Sequence, residues 1–120
     1  MTISNKTILI IGGGGLLGGC LISSIIQSGG NVIAVDKDFE HMQSQLLLRG
    51  VSLDSSQLEL FSLDITNESD TVNFYKSIQH LDGVVNCSYP RNSNYGSSFF
   101  NVSLDSFNEN ISMHLGSAFL

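Results

Sequence analysis

The chain is short of the residues that settle a protein's class by themselves. Basic residues are scarce: five lysines and arginines stand against eleven acids in 120 residues, a net charge of −6. That balance argues against nucleic acid or an anionic membrane surface as partner, because both reward clustered lysine and arginine. Cysteine is limited to Cys20 and Cys87, which fit neither a zinc spacing nor a disulfide framework. Both are expected to be reduced thiols in the cytoplasm. No apolar run approaches the length of a membrane span, and Met1 to Lys6 offers no basic region ahead of a long apolar segment, so no signal peptide is expected. Repeats, linkers and low-complexity tracts are missing too, which leaves one domain over residues 1–120. Asn-x-Ser/Thr sequons, such as those at Asn5, Asn67, Asn101 and Asn110, read as chance in a chain rich in asparagine and serine.

What is present is a core-forming chain, 42% hydrophobic, organised around Ile8-Leu9-Ile10-Ile11 and the glycine cluster that follows. An unbroken apolar run reads as a buried strand of a parallel sheet. Gly12, Gly15 and Gly18 fall in a G-x-x-G-x-x-G spacing, and Gly13, Gly15 and Gly18 also satisfy G-x-G-x-x-G. Glycines let backbone N–H groups approach a ligand with no Cβ between them. A helix beginning at Leu16 points its positive end into that turn, which suits a pyrophosphate. The expected cradle is Gly12, Gly14, Gly15, Leu16, Leu17 and Gly18. No Lys-Ser/Thr follows Gly18-Gly19, which removes a P-loop NTPase at the motif level.

In chain order, a first helix from Leu16 to Ser28 carries Leu17, Leu21 and Ile25 as its stripe, widened by Ile22 and Ile26. A second strand runs from Asn31 to Val35 and ends at Asp36. A second helix follows from Phe39 to Arg49, with Phe39, Met42 and Leu46 on one face. Leu58 to Leu63 is the third strand, ending at Asp64. Thr66 to Asp70 supplies the cap of a third helix reaching His80 and burying Val72, Tyr75 or Phe74, and Ile78. Gly83 to Cys87 is the fourth strand. A polar loop from Pro90, the single proline, to Asn101 leads into a fourth helix running from Ser103 to the last residue. Its stripe is Leu104, Phe107, Ile111, Leu115 and Ala118, and Ser106-x-x-Glu109 reads as an internal capping box. Strict alternation of strand and helix predicts an α/β, Rossmann-like doubly wound parallel sheet. Right-handed crossovers give the spatial order 3-2-1-4.

A ligand of such a sheet lies beyond the carboxyl ends of its strands. Asp36, 18 residues past Gly18, is placed to accept the hydroxyls of an adenosine ribose, and its charge repels a 2′-phosphate. NAD is therefore favoured over NADP, with adjacent Lys37 leaving NADP open. Asp64 is placed to meet the adenine amino group with the Ile65 backbone alongside; the alternative is a capping aspartate ahead of Thr66. Asn86 either fixes the fourth strand to its neighbour or lines the groove with Cys87 and Ser88.

These residues resemble the short-chain dehydrogenase/reductase family. Gly12 and Gly18 match the outer glycines of its T-G-x-x-x-G-x-G turn, with Ile11 for the threonine and Leu16 for the middle glycine. Leu63-Asp64-Ile65-Thr66 is similar to the family's adenine-ring Asp-Val motif. Asp82-Gly83-Val84-Val85-Asn86-Cys87-Ser88 resembles its D-x-L-V-N-N-A-G segment. Asn86 to Asn92, Tyr95-Gly96, Glu109-Asn110 and His114-Leu115-Gly116 further resemble the flagellin-modification oxidoreductases. The resemblance implies hydride transfer between NAD(P) and a secondary alcohol or ketone, on a sugar-like substrate of surface-glycan metabolism. It implies a homo-oligomer as well. His114 stands where the family's helix asparagine would be, which implies a catalytic role; a core or interface histidine is the alternative. The family's Tyr-x-x-x-Lys is missing, since Tyr75, Tyr89 and Tyr95 are followed four positions on by Gln79, Ser93 and Phe99. The chain is therefore expected to be the N-terminal, cofactor-binding half of a longer enzyme. Two other readings stay open. One is a non-catalytic dinucleotide-binding module. The other is a nucleotide-sugar epimerase or dehydratase of the extended branch, favoured by the G-x-x-G-x-x-G spacing and disfavoured by Val85-Asn86.

Overall fold

A computed structural model describes residues 2–120. Four parallel strands, β1 (Thr7–Ile11), β2 (Asn31–Asp36), β3 (Leu58–Ser62) and β4 (Gly83–Asn86), lie in the order β3-β2-β1-β4. The helices between them are α1 (Leu16–Gln27), α2 (Phe39–Leu48) and α3 (Glu68–Ser77). The expected doubly wound sheet is present, with its strand order. In register, Ile11 sits opposite Val35 on one side and Asn86 on the other, while Asp36 pairs with Ser62. The polar strand ends therefore gather along one edge.

Side chains of successive strand residues point to opposite faces, and β1 and β2 use both. Ile10, Val32 and Ala34 join Ile22, Ile25, Met42 and Leu46 under α1 and α2. Leu9, Ile11, Ile33 and Val35 meet Leu63, Ile65 and Phe74 on the α3 face. Leu9, Ile10 and Val35 are fully removed from solvent, each such side chain contributing roughly 1.5–3 kcal/mol. The unbroken apolar run is thus two half-cores read alternately.

The helices differ from expectation in which face they bury. In α1 the packing surface is Gly18, Gly19, Ile22 and Ile25, while Leu17 is 63% exposed. Gly18 packs against the Gly12 carbonyl at the end of β1, and Gly19 against the Arg49 side chain that follows α2. α3 buries Thr71 and Phe74, and Val72 faces solvent. Its N-cap is Asn67, whose side chain accepts from the Asp70 amide at 3.1 Å. The Thr66 hydroxyl is committed to Asp64 instead.

The C-terminal helix departs furthest. After a single 3₁₀ turn at Phe99–Asn101, α4 (Leu104–Ile111) begins at Ser103, whose hydroxyl accepts from the Ser106 amide at 3.1 Å. Ser106 is therefore inside the first turn and is no cap. The helix continues through a wider π turn (Ser112–Gly116) into a last turn, Ser117–Phe119. Its buried residues are Ser106 and Ser117, whereas Leu104 and Leu115 are 72% and 70% exposed. The apolar stripe of this helix faces outward. The inward side is polar because it receives the loop after β4. Val84 and Val85 of β4 are exposed as well, as expected of an edge strand with no neighbour on its far side.

Candidate functional site

The glycine turn leaves β1 with the Gly12 and Gly13 amides donating to the Val35 carbonyl, at 2.9 and 3.1 Å. Gly12 adopts φ +81°, a region open to glycine without strain. A Cβ there would meet the Ser88 amide nitrogen at 2.9 Å, so the turn is seated directly against the exit of β4. At Gly18 a Cβ would drive into the Gly12 carbonyl oxygen. These two positions let the first turn of α1 fold back over the end of β1. Gly15 is the N-cap and provides no side-chain acceptor, so the leading N–H groups of α1 remain available to an outside anion. Leu16 is 79% exposed, and the hydrogen-bonding groups that Leu16 and Leu17 offer are those of their backbone.

Asp36 does more than face the groove. Its Oδ2 accepts from the Gly14 amide at 2.9 Å and its Oδ1 from the Asp38 amide at 3.1 Å. Gly14 is buried, and its N–H is committed to this carboxylate, so the Gly14 amide is not one of the free phosphate donors. A carboxylate has about four acceptor sites, which leaves Asp36 able to receive ribose hydroxyls too. Asp64 accepts from both the Thr66 hydroxyl (2.6 Å) and the Thr66 amide (2.9 Å). Those two bonds, the hydroxyl first, hold its carboxyl below the ordinary value, with Lys37 nearby adding to the effect. Asp64 therefore does not cap α3, whose N-cap is Asn67; it closes a turn onto Thr66 while lining the groove.

Between these groups runs a groove of about 460 Å³. Gly12, Gly15, Asp36, Asp64, Ile65, Cys87 and Ser88 line it, over a floor of Ile11, Val35 and Leu63. Burial pushes the Cys87 thiol up, which keeps it protonated. The Asn86 side chain lies outside the groove. Its Oδ1 accepts from the Ser88 amide and hydroxyl at 2.9 and 2.6 Å, shaping the turn that follows β4. Of the other candidates, Gly12, Gly15, Asp36, Asp64, Ile65, Cys87 and Ser88 line the groove, and Gly14, Leu16, Leu17 and Gly18 do not.

His114 is not a groove residue either. Its ring is stacked behind Tyr89 with centroids 4.2 Å apart, and its Nε2 is buried without a hydrogen-bond partner. It supports the groove wall from the back. That wall, Tyr89 to Ser93, overlaps the stretch that carried the flagellin-modification resemblance, but it was not read from sequence as lining a ligand site. The available signal was Pro90, which stops the chain continuing straight out of β4 and turns it across the strand ends.

The geometry is that of a dinucleotide cradle: a close glycine turn, an uncapped helix N-terminus and a carboxylate at the end of the neighbouring strand. Comparisons with known proteins agree. Post-translational flagellin modification protein A of Campylobacter coli is 29% identical over 122 residues, covering 95% of this chain and 46% of that protein. A short-chain dehydrogenase from Leptospira borgpetersenii, with bound NAD+, superposes with a TM-score of 0.78 at 24% identity, over 98% of this chain and 43% of that one. A 3-ketoacyl-(acyl-carrier-protein) reductase from Brucella melitensis, complexed with NADH, gives 0.77 at 17% identity, over 99% and 48%. At these identities the two structures establish the fold. The chain spans about half the length of the relatives it matches. The NAD dependent epimerase/dehydratase family model matches residues 8–109. With that match, the chain belongs to the NAD dependent epimerase/dehydratase family, within the short-chain dehydrogenase/reductase group.

Proposed function

We propose that this chain is the cofactor-binding part of an NAD(P)-dependent oxidoreductase acting on a secondary alcohol or ketone of a sugar-like substrate. The observation that carries the reading is the glycine turn packed against the end of β4, with α1 uncapped above it. NAD(P), when bound, supplies the nicotinamide that carries the hydride. The chain's own residues would do the holding. The leading amides of α1 would take the diphosphate, Asp36 the adenosine ribose, and Asp64 with the Ile65 backbone the adenine. The negative charge of Asp36 favours NAD over NADP.

The likeness to a flagellin modification protein supports a place in surface-glycan chemistry; a cytoplasmic location and a homo-oligomeric state are part of the same proposal. The family match and the Gly12-Gly15-Gly18 spacing also support a second reading, a nucleotide-sugar epimerase or dehydratase of the extended branch. Calorimetric titration with NADH and NADPH, on the native chain and on Asp36→Ala, tests the cofactor assignment. Binding of NADH weakened by the substitution is expected; no binding of either dinucleotide sinks the reading.

A further inference from the structure

Two cations, Lys37 and Arg91, line the groove, and they differ in what surrounds them. Lys37 lies on the β2–β3 side near Asp64, close enough to help hold that carboxyl ionised. Arg91 lies on the opposite wall. The ion pairs among the described residues join Lys6 and His80 to Asp82, and neither involves Arg91. The Glu109 carboxylate on α4 is engaged at 2.6 Å by the Asn92 amide.

Arg91 is also held in a defined setting. Its guanidinium lies 5.9 Å from the centre of the Tyr95 ring, within cation–π range. The Tyr95 hydroxyl meets the Tyr89 hydroxyl at 2.5 Å. Tyr89 and Arg91 both face the groove, and His114, stacked on Tyr89, fixes that ring from behind. The two phenols share one of their protons in the bond between them, so a single O–H remains to donate outward. A guanidinium offers five N–H donors in a planar fork. The wall thus presents donors and positive charge.

We propose that Arg91 with Tyr89 and Tyr95 forms a substrate-side subsite for an oxyanion, a carboxylate or a phosphate, borne by the substrate. The groove is then bipolar. Asp36 and Asp64 accept hydroxyl and amino hydrogens on one side, and Arg91 fixes a negative group on the other. A planar bidentate fork suits both oxyanions. The inference rests on the sugar-substrate reading above, and its test is separable from it.

The test uses the full chain saturated with NADH, titrated by NMR with three hexoses that differ at one carbon: glucose, glucuronate and glucose 6-phosphate. At least one anionic sugar is expected to bind about tenfold more tightly than glucose, shifting the Tyr89, Tyr95 and His114 ring signals and leaving those of Tyr75 in place. The arm that responds names the oxyanion. Arg91→Gln is expected to erase the preference and Arg91→Lys to restore part of it, with the amide spectrum verifying the fold of each. Equal affinities, no binding of any of the three, or a preference that survives Arg91→Gln would overturn the proposal. A parallel NADH titration keeps the two readings apart. An anion preference without NADH binding would refute the dinucleotide assignment and leave the subsite standing.

Discussion

Asn92 and Asn110 exchange a reciprocal pair of hydrogen bonds. The Asn92 amide N–H donates to Asn110 Oδ1 at 3.0 Å, and Asn110 Nδ2 donates back to Asn92 Oδ1 at 3.0 Å. Asn92 Nδ2 also reaches the Ser106 hydroxyl at 3.1 Å and Glu109. This clasp fastens the groove wall after β4 to the inward side of α4. It explains why that side is polar and why Ser106 is buried.

Asn110→Ala should therefore destabilise the chain by about 1–3 kcal/mol, because it strands the half-buried Asn92 N–H and leaves Asn92 Oδ1 with the Asn94 N–H as its remaining donor. Urea denaturation measures the loss. A cost near zero would mean that water replaces the clasp.

Gly18→Ala should cost about 1–3 kcal/mol, since the new methyl meets a backbone carbonyl that cannot move aside cheaply. Dinucleotide affinity should fall with it. Gly15→Ala is the control for stability, because a Cβ at that position finds only the Gly12 carbonyl oxygen at 3.4 Å. Thermal melts of the two variants should diverge.

Asp36→Asn should weaken NADH binding by about tenfold, near 1.4 kcal/mol, and narrow the gap to NADPH. The amide keeps an oxygen for the Gly14 N–H but loses the charge. Asp36→Ala loses both, and the turn itself should loosen, seen as faster hydrogen exchange at Gly14. Protection unchanged in Asp36→Ala would separate the carboxylate from the turn.

Asp64 titrates below its ordinary value, held there by Thr66. A depressed carboxyl stabilises the fold above its unfolded pKa, and the contribution is lost as pH falls through the folded value. The urea midpoint should thus hold above about pH 5 and drop below it, as the pH falls through the unfolded and then the folded value. Thr66→Val, which removes the stronger of the two bonds, should flatten part of that drop. Parallel curves for the two proteins would place the acid sensitivity elsewhere.

The exposed edge of β4 and the outward apolar residues of α4 should make the isolated chain associate. Light scattering is expected to show species larger than a monomer, and a sharp monomer peak would count against it.

The strands and their order were legible because Ile8 to Ile11 and Val32 to Val35 are apolar without interruption, and a parallel sheet covered on both faces asks for that. The glycine spacing located the turn and the groove floor. Which side of a helix packs inward was less legible. The α4 stripe from Leu104 to Leu115 is amphipathic in sequence, but periodicity gives the stripe and not its direction. Only the pairing of Asn92 with Asn110, 18 residues away, sets that direction. The bond from Gly14 to Asp36 was hidden for a similar reason. A backbone donor's target depends on how the turn coils, which no residue type announces. His114 was read from its position in the family pattern, whereas Tyr89, folded across it, decides what it can touch.

Gly12 leaves so little room against Ser88 that the turn and the outermost strand share one seam. A dinucleotide seated on the turn would act as a rivet through that seam, tying the sheet's weakest margin to its centre. The ligand-free chain would then be the form most ready to fray and exchange strands with a neighbour, and dinucleotide supply would govern its persistence.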